Sequence, residues 1–181
     1  MLKNIAIFFT ATFVIVLLFG LTLPSNYEIT RTIAIKAPTE EVHSYLNDLE
    51  QWPKWAPWHN AENVATIKIG DISKGAGATQ SWSGAGGTGS LEITAASSQS
   101  GVKYLLSFGQ DDQDTQGNFT YQSTGDQTTV SWTMAGEMTM PVIGPYAVMI
   151  IDMMAGPTLV SGLDKLKVIV EGLPAEKVAS E

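Results

Sequence analysis

His43 and His59 are the only side chains in this sequence whose ordinary pKa would let them act as a base near neutral pH. A catalytic histidine works with a nucleophile on one side and an orienting carboxylate on the other. Neither histidine has such partners at a telling spacing, and the chain has no cysteine to act as a thiolate. His43 reads as a helix-packing or surface residue. His59 follows a run of tryptophans and is the better candidate for the edge of a pocket. Two histidines and scattered acids do not supply the three well-placed ligands of a catalytic zinc, so no metal is expected. Gly84-Ala85-Gly86-Gly87-Thr88-Gly89 satisfies G-x-G-x-x-G. A dinucleotide site needs that run between a strand and a helix. Here it falls between two strands and reads as a hairpin turn, so no cofactor is expected. Asn118-Phe119-Thr120 fits a glycosylation sequon but lies within a strand pattern, where it is accidental.

The apolar residues say more than the reactive ones. Trp82, Tyr104, Phe108, Tyr121, Trp132, Met134 and Met138 fall on strand patterns, and Met149, Met153 and Met154 precede a long helix. Such side chains fill cores, but they also line cavities because they are large, apolar and adaptable. The candidate ligand-binding set is Trp58, His59, Trp82, Tyr104, Phe108, Tyr121, Trp132, Met134, Asp152 and Met153. Asp152 enters it as an acid within an apolar stretch, placed to point inward as a polar anchor or to cap the helix that follows.

The elements that must position these residues are legible as patterns. Tyr27–Lys36 alternates with β-branched residues and reads as a strand. Ala37-Pro38-Thr39 opens a helix with Glu40 and Glu41 in its first turn. Trp52-Pro53 breaks it, and the stretch to Trp58 reads as a short second helix plus loop. Ala65–Ile69, Ala78–Ser83, Gly89–Ala96, Val102–Phe108, Asn118–Gln122 and Thr128–Met138 are short alternations separated by turns, including a polar loop at Gln110–Gln116. They predict an antiparallel meander. From Tyr146 the period becomes helical. Pro157 is expected either to begin a new helix or to kink one. Leu159, Leu163, Leu166, Ile169 and Val170 then form an apolar stripe that needs a sheet to cover, before Gly172 and Pro174 end the helix.

Composition limits the partners. With 18 acidic against 10 basic residues, the net charge of −8 would repel a phosphate backbone, and nucleic-acid binding is excluded. Ile5–Leu23 carries no charge and, as a helix, would span about 28 Å, close to a bilayer's hydrocarbon core. Leu21-Thr22-Leu23-Pro24-Ser25 lacks the small-residue pattern of a signal-peptidase site, which favours an uncleaved anchor. Lys3 favours an amino terminus inside, partly offset by Arg31 and Lys36 beyond the span. The expected organisation is an anchor at 1–25, one globular domain at 26–173 and a short tail at 174–181. The expected address is a single-pass inner or cytoplasmic membrane protein with its domain on the extracytoplasmic side.

Several runs stand in a telling order: Ile33-Ala34-Ile35-Lys36-Ala37-Pro38-Thr39-Glu40-Glu41-Val42, then Trp52-Pro53-Lys54-Trp55-Ala56-Pro57-Trp58, then Gly75-Ala76-Gly77 leading into Trp82. Gly89-Ser90-Leu91-Glu92-Ile93, Thr129-Val130-Ser131-Trp132-Thr133-Met134 and Asp152-Met153-Met154-Ala155-Gly156-Pro157 follow. Together they resemble the START-related SRPBCC superfamily, and within it the polyketide cyclase/dehydrase-like proteins. The resemblance covers about residues 27–172 and departs at His43, where the family carries a large aromatic. An apolar anchor just before the first strand is familiar in bacterial members. The resemblance implies an α+β helix-grip fold, a bent antiparallel sheet wrapped around a C-terminal helix with a cavity between. It also implies a function in binding a hydrophobic small molecule or lipid, with a cyclase or dehydratase as the alternative. The missing acid/base pair ranks binding above catalysis.

Overall fold

A computed structural model describes residues 2–60, 66–84, 87–109, 114–138 and 143–172. The tail expected at 174–181 and most of the polar loop expected at Gln110–Gln116 lie outside the described residues. An apolar helix, α1 (Leu2–Gly20), leads into β1 (Asn26–Ile35) and α2 (Thr39–Leu46). Two 3-10 turns, Trp52–Lys54 and Pro57–Asn60, precede β2 (Thr66–Ile69), β3 (Thr79–Gly84), β4 (Gly87–Ser97), β5 (Gly101–Phe108), β6 (Asp114–Thr124) and β7 (Gln127–Glu137). The last element is α3 (Ile143–Val170).

The strands make one antiparallel sheet in the order β1-β7-β6-β5-β4-β3-β2, so β2 to β7 form a meander that β1 closes beside β7. The alternation read in the sequence sets its two faces. Ile29 and Ile35 of β1 point inward and are buried, with Leu91 and Ile93 of β4, Val102 and Tyr104 of β5, Phe119 of β6 and Val130 and Trp132 of β7. The outward face of β1 and β7 is a ladder of hydroxyls, with Thr30 bonded to Thr133 at 2.9 Å and Thr32 to Ser131 at 3.0 Å. A register shift between Ile93 and Ala95 inserts one extra residue into β4, a bulge of the kind that bends a sheet.

The concave face is covered by α3, whose Leu159, Leu163, Leu166 and Val170 are buried against it. This is the helix-grip arrangement. The helix differs from the pattern in one respect: Pro157 neither starts nor breaks it, and α3 runs unbroken through that position. Proline removes one helical hydrogen bond and crowds the preceding turn. Pro157 lies on the exposed side, where the carbonyl freed by the missing N–H can be solvated.

The tryptophan-rich turns wedge between α2, the sheet and α3. The Trp52 indole donates to the Leu46 carbonyl at 3.0 Å, which fixes the turn to the end of α2. Trp55 packs at a tilt 5.1 Å from Trp52 and edge-on 5.8 Å from Trp132. The G-x-G-x-x-G run is a hairpin, since β3 and β4 pair as far as Gly84 opposite Gly87. Asn118 to Thr120 sit within β6 with paired strands on both sides.

Gly101 and Gly125 both begin or close hairpins with positive φ, +107° and +61°. A Cβ on Gly101 would overlap the Phe119 carbonyl, whereas one on Gly125 meets open space. Gly125→Ala should therefore cost about 1–2 kcal/mol, the left-handed penalty alone. Gly101→Ala should cost about 3 kcal/mol or more, because backbone must also move. Denaturant unfolding of the two variants checks this, and equal losses would contradict the packing described for Gly101.

Candidate functional site

The leucine stripe of α3 stops one turn short of its small residues. At Ala155, Gly156 and Thr158 the helix offers side chains too short to reach strands β2 to β5. A cavity of about 300 Å³ remains there, lined by Trp58, Ile67, Gln80, Trp82, Leu106, Phe108, Met134, Ala155, Thr158 and Leu159. Each strand contributes by its period of two: Gln80 and Trp82 from β3, Leu106 and Phe108 from β5. The Trp82 ring can lie across the sheet toward Phe108, 5.8 Å away, because Gly89 beneath it carries no side chain; a Cβ there would overlap the indole. Trp58 is braced from behind by Trp132 at 5.6 Å. Among these lining residues none is charged, and Gln80 is the one polar side chain that is buried, 2% exposed. A second, shallower hollow of about 480 Å³ beside Asn26, Glu28, Gln116 and Glu137 is polar.

Trp58, Trp82, Phe108 and Met134 of the sequence-derived set thus come together on this cavity. His59 stands one layer behind, its Nε2 3.2 Å from Nε2 of Gln80. Burial lowers its pKa to about 4, an effect the Gln80 contact only partly offsets, so the ring is neutral at physiological pH. Tyr104 and Trp132 lie deeper, in the core: the Trp132 indole donates to the Tyr104 hydroxyl at 2.9 Å, and burial raises the Tyr104 pKa. Tyr121 stands further along β6, its hydroxyl 3.1 Å from Nδ1 of His43. This pair explains the departure at His43: its ring packs edge-on against Tyr121 at 5.8 Å, doing locally what an aromatic would. Burial and nearby Lys74 lower the His43 pKa, against a smaller opposing effect of Glu40.

Asp152 does not point inward. Its carboxylate is 62% exposed and pairs with Arg31 at 2.8 Å, because Arg31 reaches out from β1 beneath Gly156, where a Cβ would overlap the guanidinium. Met153 is 77% exposed: the helix period turns it away from Ala155 and Leu159, whereas Asp152 shares their face and is drawn outward by Arg31. Ile67, Gln80, Leu106, Ala155, Thr158 and Leu159 were missed as lining residues. A signal existed for three of them. Gln80 shares a face with Trp82 and Leu106 with Phe108 by strand alternation, and Leu159 was in the leucine stripe. No group of acids, histidines or cysteines that could hold a metal occurs among the described residues.

The sequence comparison assigns this fold to a family: residues 27–171 match the family model described as polyketide cyclase / dehydrase and lipid transport. The chain belongs to that family. Solved structures show the same fold at low identity. A START superfamily protein from Mycobacterium smegmatis is 20% identical, over 82% of this chain and 99% of its own, with a TM-score of 0.57. A protein from Thermus thermophilus, TTHA0849, is 19% identical over 85% of this chain and 99% of its own, at 0.56. The KanY protein is 16% identical over 81% of this chain and 99% of its own, at 0.62. No curated protein matches the chain. For this cyclase/dehydrase and lipid-transport family member, the likenesses establish the fold and leave the occupant of the cavity to be argued from its walls.

The neutral state of His59 has a consequence for stability. Its folded pKa lies below the ordinary 6.5, so below pH 6.5 the unfolded chain takes up a proton that the folded chain refuses. The stabilising contribution is complete above pH 6.5 and is lost as pH falls toward 4, on the order of 1–2 kcal/mol after allowing for the solvated part of the ring. Unfolding free energies across pH 4–6.5 should show this slope, and His59→Gln should flatten it.

Proposed function

We propose that this protein holds a hydrophobic small molecule or lipid in the cavity between β2–β5 and α3, beside a membrane to which α1 anchors it. The observation that carries the reading is the cavity's wall: apolar and aromatic residues, with no charge to supply an acid, a base or an anion site. Sites of this kind bind apolar ligands by burying them. Family membership supports it, since lipid transport is among the family's described roles. A cyclase or dehydratase would need a proton donor or acceptor on the wall. Gln80 is neither, and neutral His59 faces it through Gln80.

The membrane part of the proposal rests on two apolar surfaces. Lys3–Gly20 has a mean hydropathy of 2.0, long and apolar enough to cross a bilayer by length and composition, and its Phe8, Phe9, Phe13, Ile15 and Phe19 are all more than half exposed. Gly144–Val170 passes the same test at 1.4, but there one face covers the sheet. Its other face does not: Met149, Ile150, Met153 and Met154 are 69%, 49%, 77% and 70% exposed. Ser25, just after α1, accepts a backbone bond from Met138 at 2.9 Å, and Gly144 packs on the Met138 carbonyl. The methionine patch therefore begins about 8–15 Å along α3 from the point where α1 leaves the fold. The bilayer that receives α1 is the surface continuous with that patch. Lys3 favours an amino terminus inside and so a domain on the extracytoplasmic side, partly offset by Arg31 and Lys36.

Two experiments test these parts separately. Native mass spectrometry with lipid extraction on the full chain should find a co-purifying apolar ligand, and Ala155→Phe, which fills the cavity, should reduce it at least tenfold without lowering the unfolding temperature. Retention in that variant would sink the cavity reading. Because the chain contains no cysteine, single thiols report without background. A nitroxide on Met153→Cys in vesicles should be relaxed by oxygen in preference to a water-soluble nickel chelate, and Gln99→Cys in intact cells should react with an impermeant maleimide. The opposite accessibility at Met153 would detach the patch from the bilayer, and an unreactive Gln99→Cys would reverse the sidedness.

A further inference from the structure

Within the apolar cavity one side chain is out of keeping with the rest. Gln80 is 2% exposed and sits on an inward strand position that its neighbours fill with tryptophan and leucine. One end of its carboxamide meets His59. The other, Oε1, is buried and without a hydrogen-bond partner among the described residues. Asn47 and Asn118 also bury an unpartnered carbonyl oxygen, but neither lines this cavity. Leaving such a group unpaired costs about 1–3 kcal/mol, and a leucine or methionine would fill the position without that cost.

The pairing with His59 limits what the free end can be. If the amide nitrogen faces the ring, it donates to an unprotonated Nε2, and the free end is a carbonyl acceptor. If the amide is turned, Nε2–H donates to the carbonyl, and the free end is an NH2 donor. A hydroxyl satisfies either arrangement, because it both donates and accepts. A carboxylate satisfies only the second and an ammonium only the first. Either charge would also be buried with no charged residue on the cavity wall to offset it. At about 300 Å³ the space is at the small end of ligand pockets, suited to a single chain or compact ring system rather than two acyl chains.

We propose that Gln80 is the polar anchor of the cavity and that the ligand is a neutral, single-chain or compact apolar molecule ending in a hydroxyl group. This inference rests on the cavity reading above and narrows its ligand class. The hydroxyl sits against the Gln80 carboxamide beside Trp58, and the apolar body runs past Trp82 and Phe108.

The test compares three probes of similar chain length on the full-length protein by native mass spectrometry: dodecan-1-ol, tridecane and dodecanoate. The alcohol should bind about tenfold more tightly than the alkane, which neither donates nor accepts, and more tightly than dodecanoate. In Gln80→Leu the preference for alcohol over alkane should vanish while the alkane still binds. Equal binding of alcohol and alkane to the unaltered protein would overturn the anchor and leave the apolar cavity standing. So would a preference that survives in Gln80→Leu, or dodecanoate binding best. Binding of none of the three would remove the cavity reading and the anchor with it. The probe series on the unaltered protein decides even if Gln80→Leu folds poorly.

Discussion

The indole of Trp132 is where the sheet, the tryptophan-rich turns and the covering helix meet, and the rest of the architecture depends on how it is held. Its N–H is satisfied by the Tyr104 hydroxyl, so a buried donor carries no desolvation penalty. Its faces and edges contact Phe119 at 4.9 Å, Trp55 and Trp58. Helix α3 passes directly over it only because Gly162 stands there; a Cβ would press on the ring and on Pro57. The helix is thus seated closely at one place, and its distance from the sheet elsewhere follows from the lengths of its own side chains.

That dependence accounts for the cavity. Toward the C-terminal end, leucines at 159, 163 and 166 fill the space between helix and sheet. Toward the other end the same helix carries Ala155, Gly156 and Thr158, and nothing on the strands grows to compensate. Arg31 occupies the strip beneath Gly156 and leads outward to Asp152, a surface pair worth little by itself that keeps the guanidinium out of the apolar space. The cavity is therefore set by residues that are small, not by residues that are reactive.

This explains what could be read in advance. The meander, the inward faces and the leucine stripe depend on periodicity and turn residues, which are local, and an antiparallel sheet with one helix across it followed from them; the helix grip itself was what the family resemblance implied. Trp82, Phe108 and Met134 could be named as wall residues because large apolar side chains on inward strand positions must lie near the helix, and Trp58 because it belongs to the tryptophan-rich run beside them. Met153 could not be placed, because its side of α3 depends on helix rotation set by Gly162 and Gly156 against distant strands, and Asp152 could not, because its outward turn depends on Arg31 of distant β1. Pro157 was ambiguous for a related reason: whether a helix survives proline depends on which side of it meets solvent. Tyr104 and Trp132 share a pattern with the wall residues but lie a layer below them, a difference of depth that alternation does not encode.

The strand β2 has only four residues and stands at the edge of the sheet, bonded on one side to β3. Yet its Ile67 is part of the cavity wall. Segments with few ladder bonds and an open side unfasten at the lowest free energy. In the binding role proposed above, capacity and residence time would be governed by different parts of the molecule. The small residues of α3 would set how much can be held, and the opening of a short edge strand how long it stays.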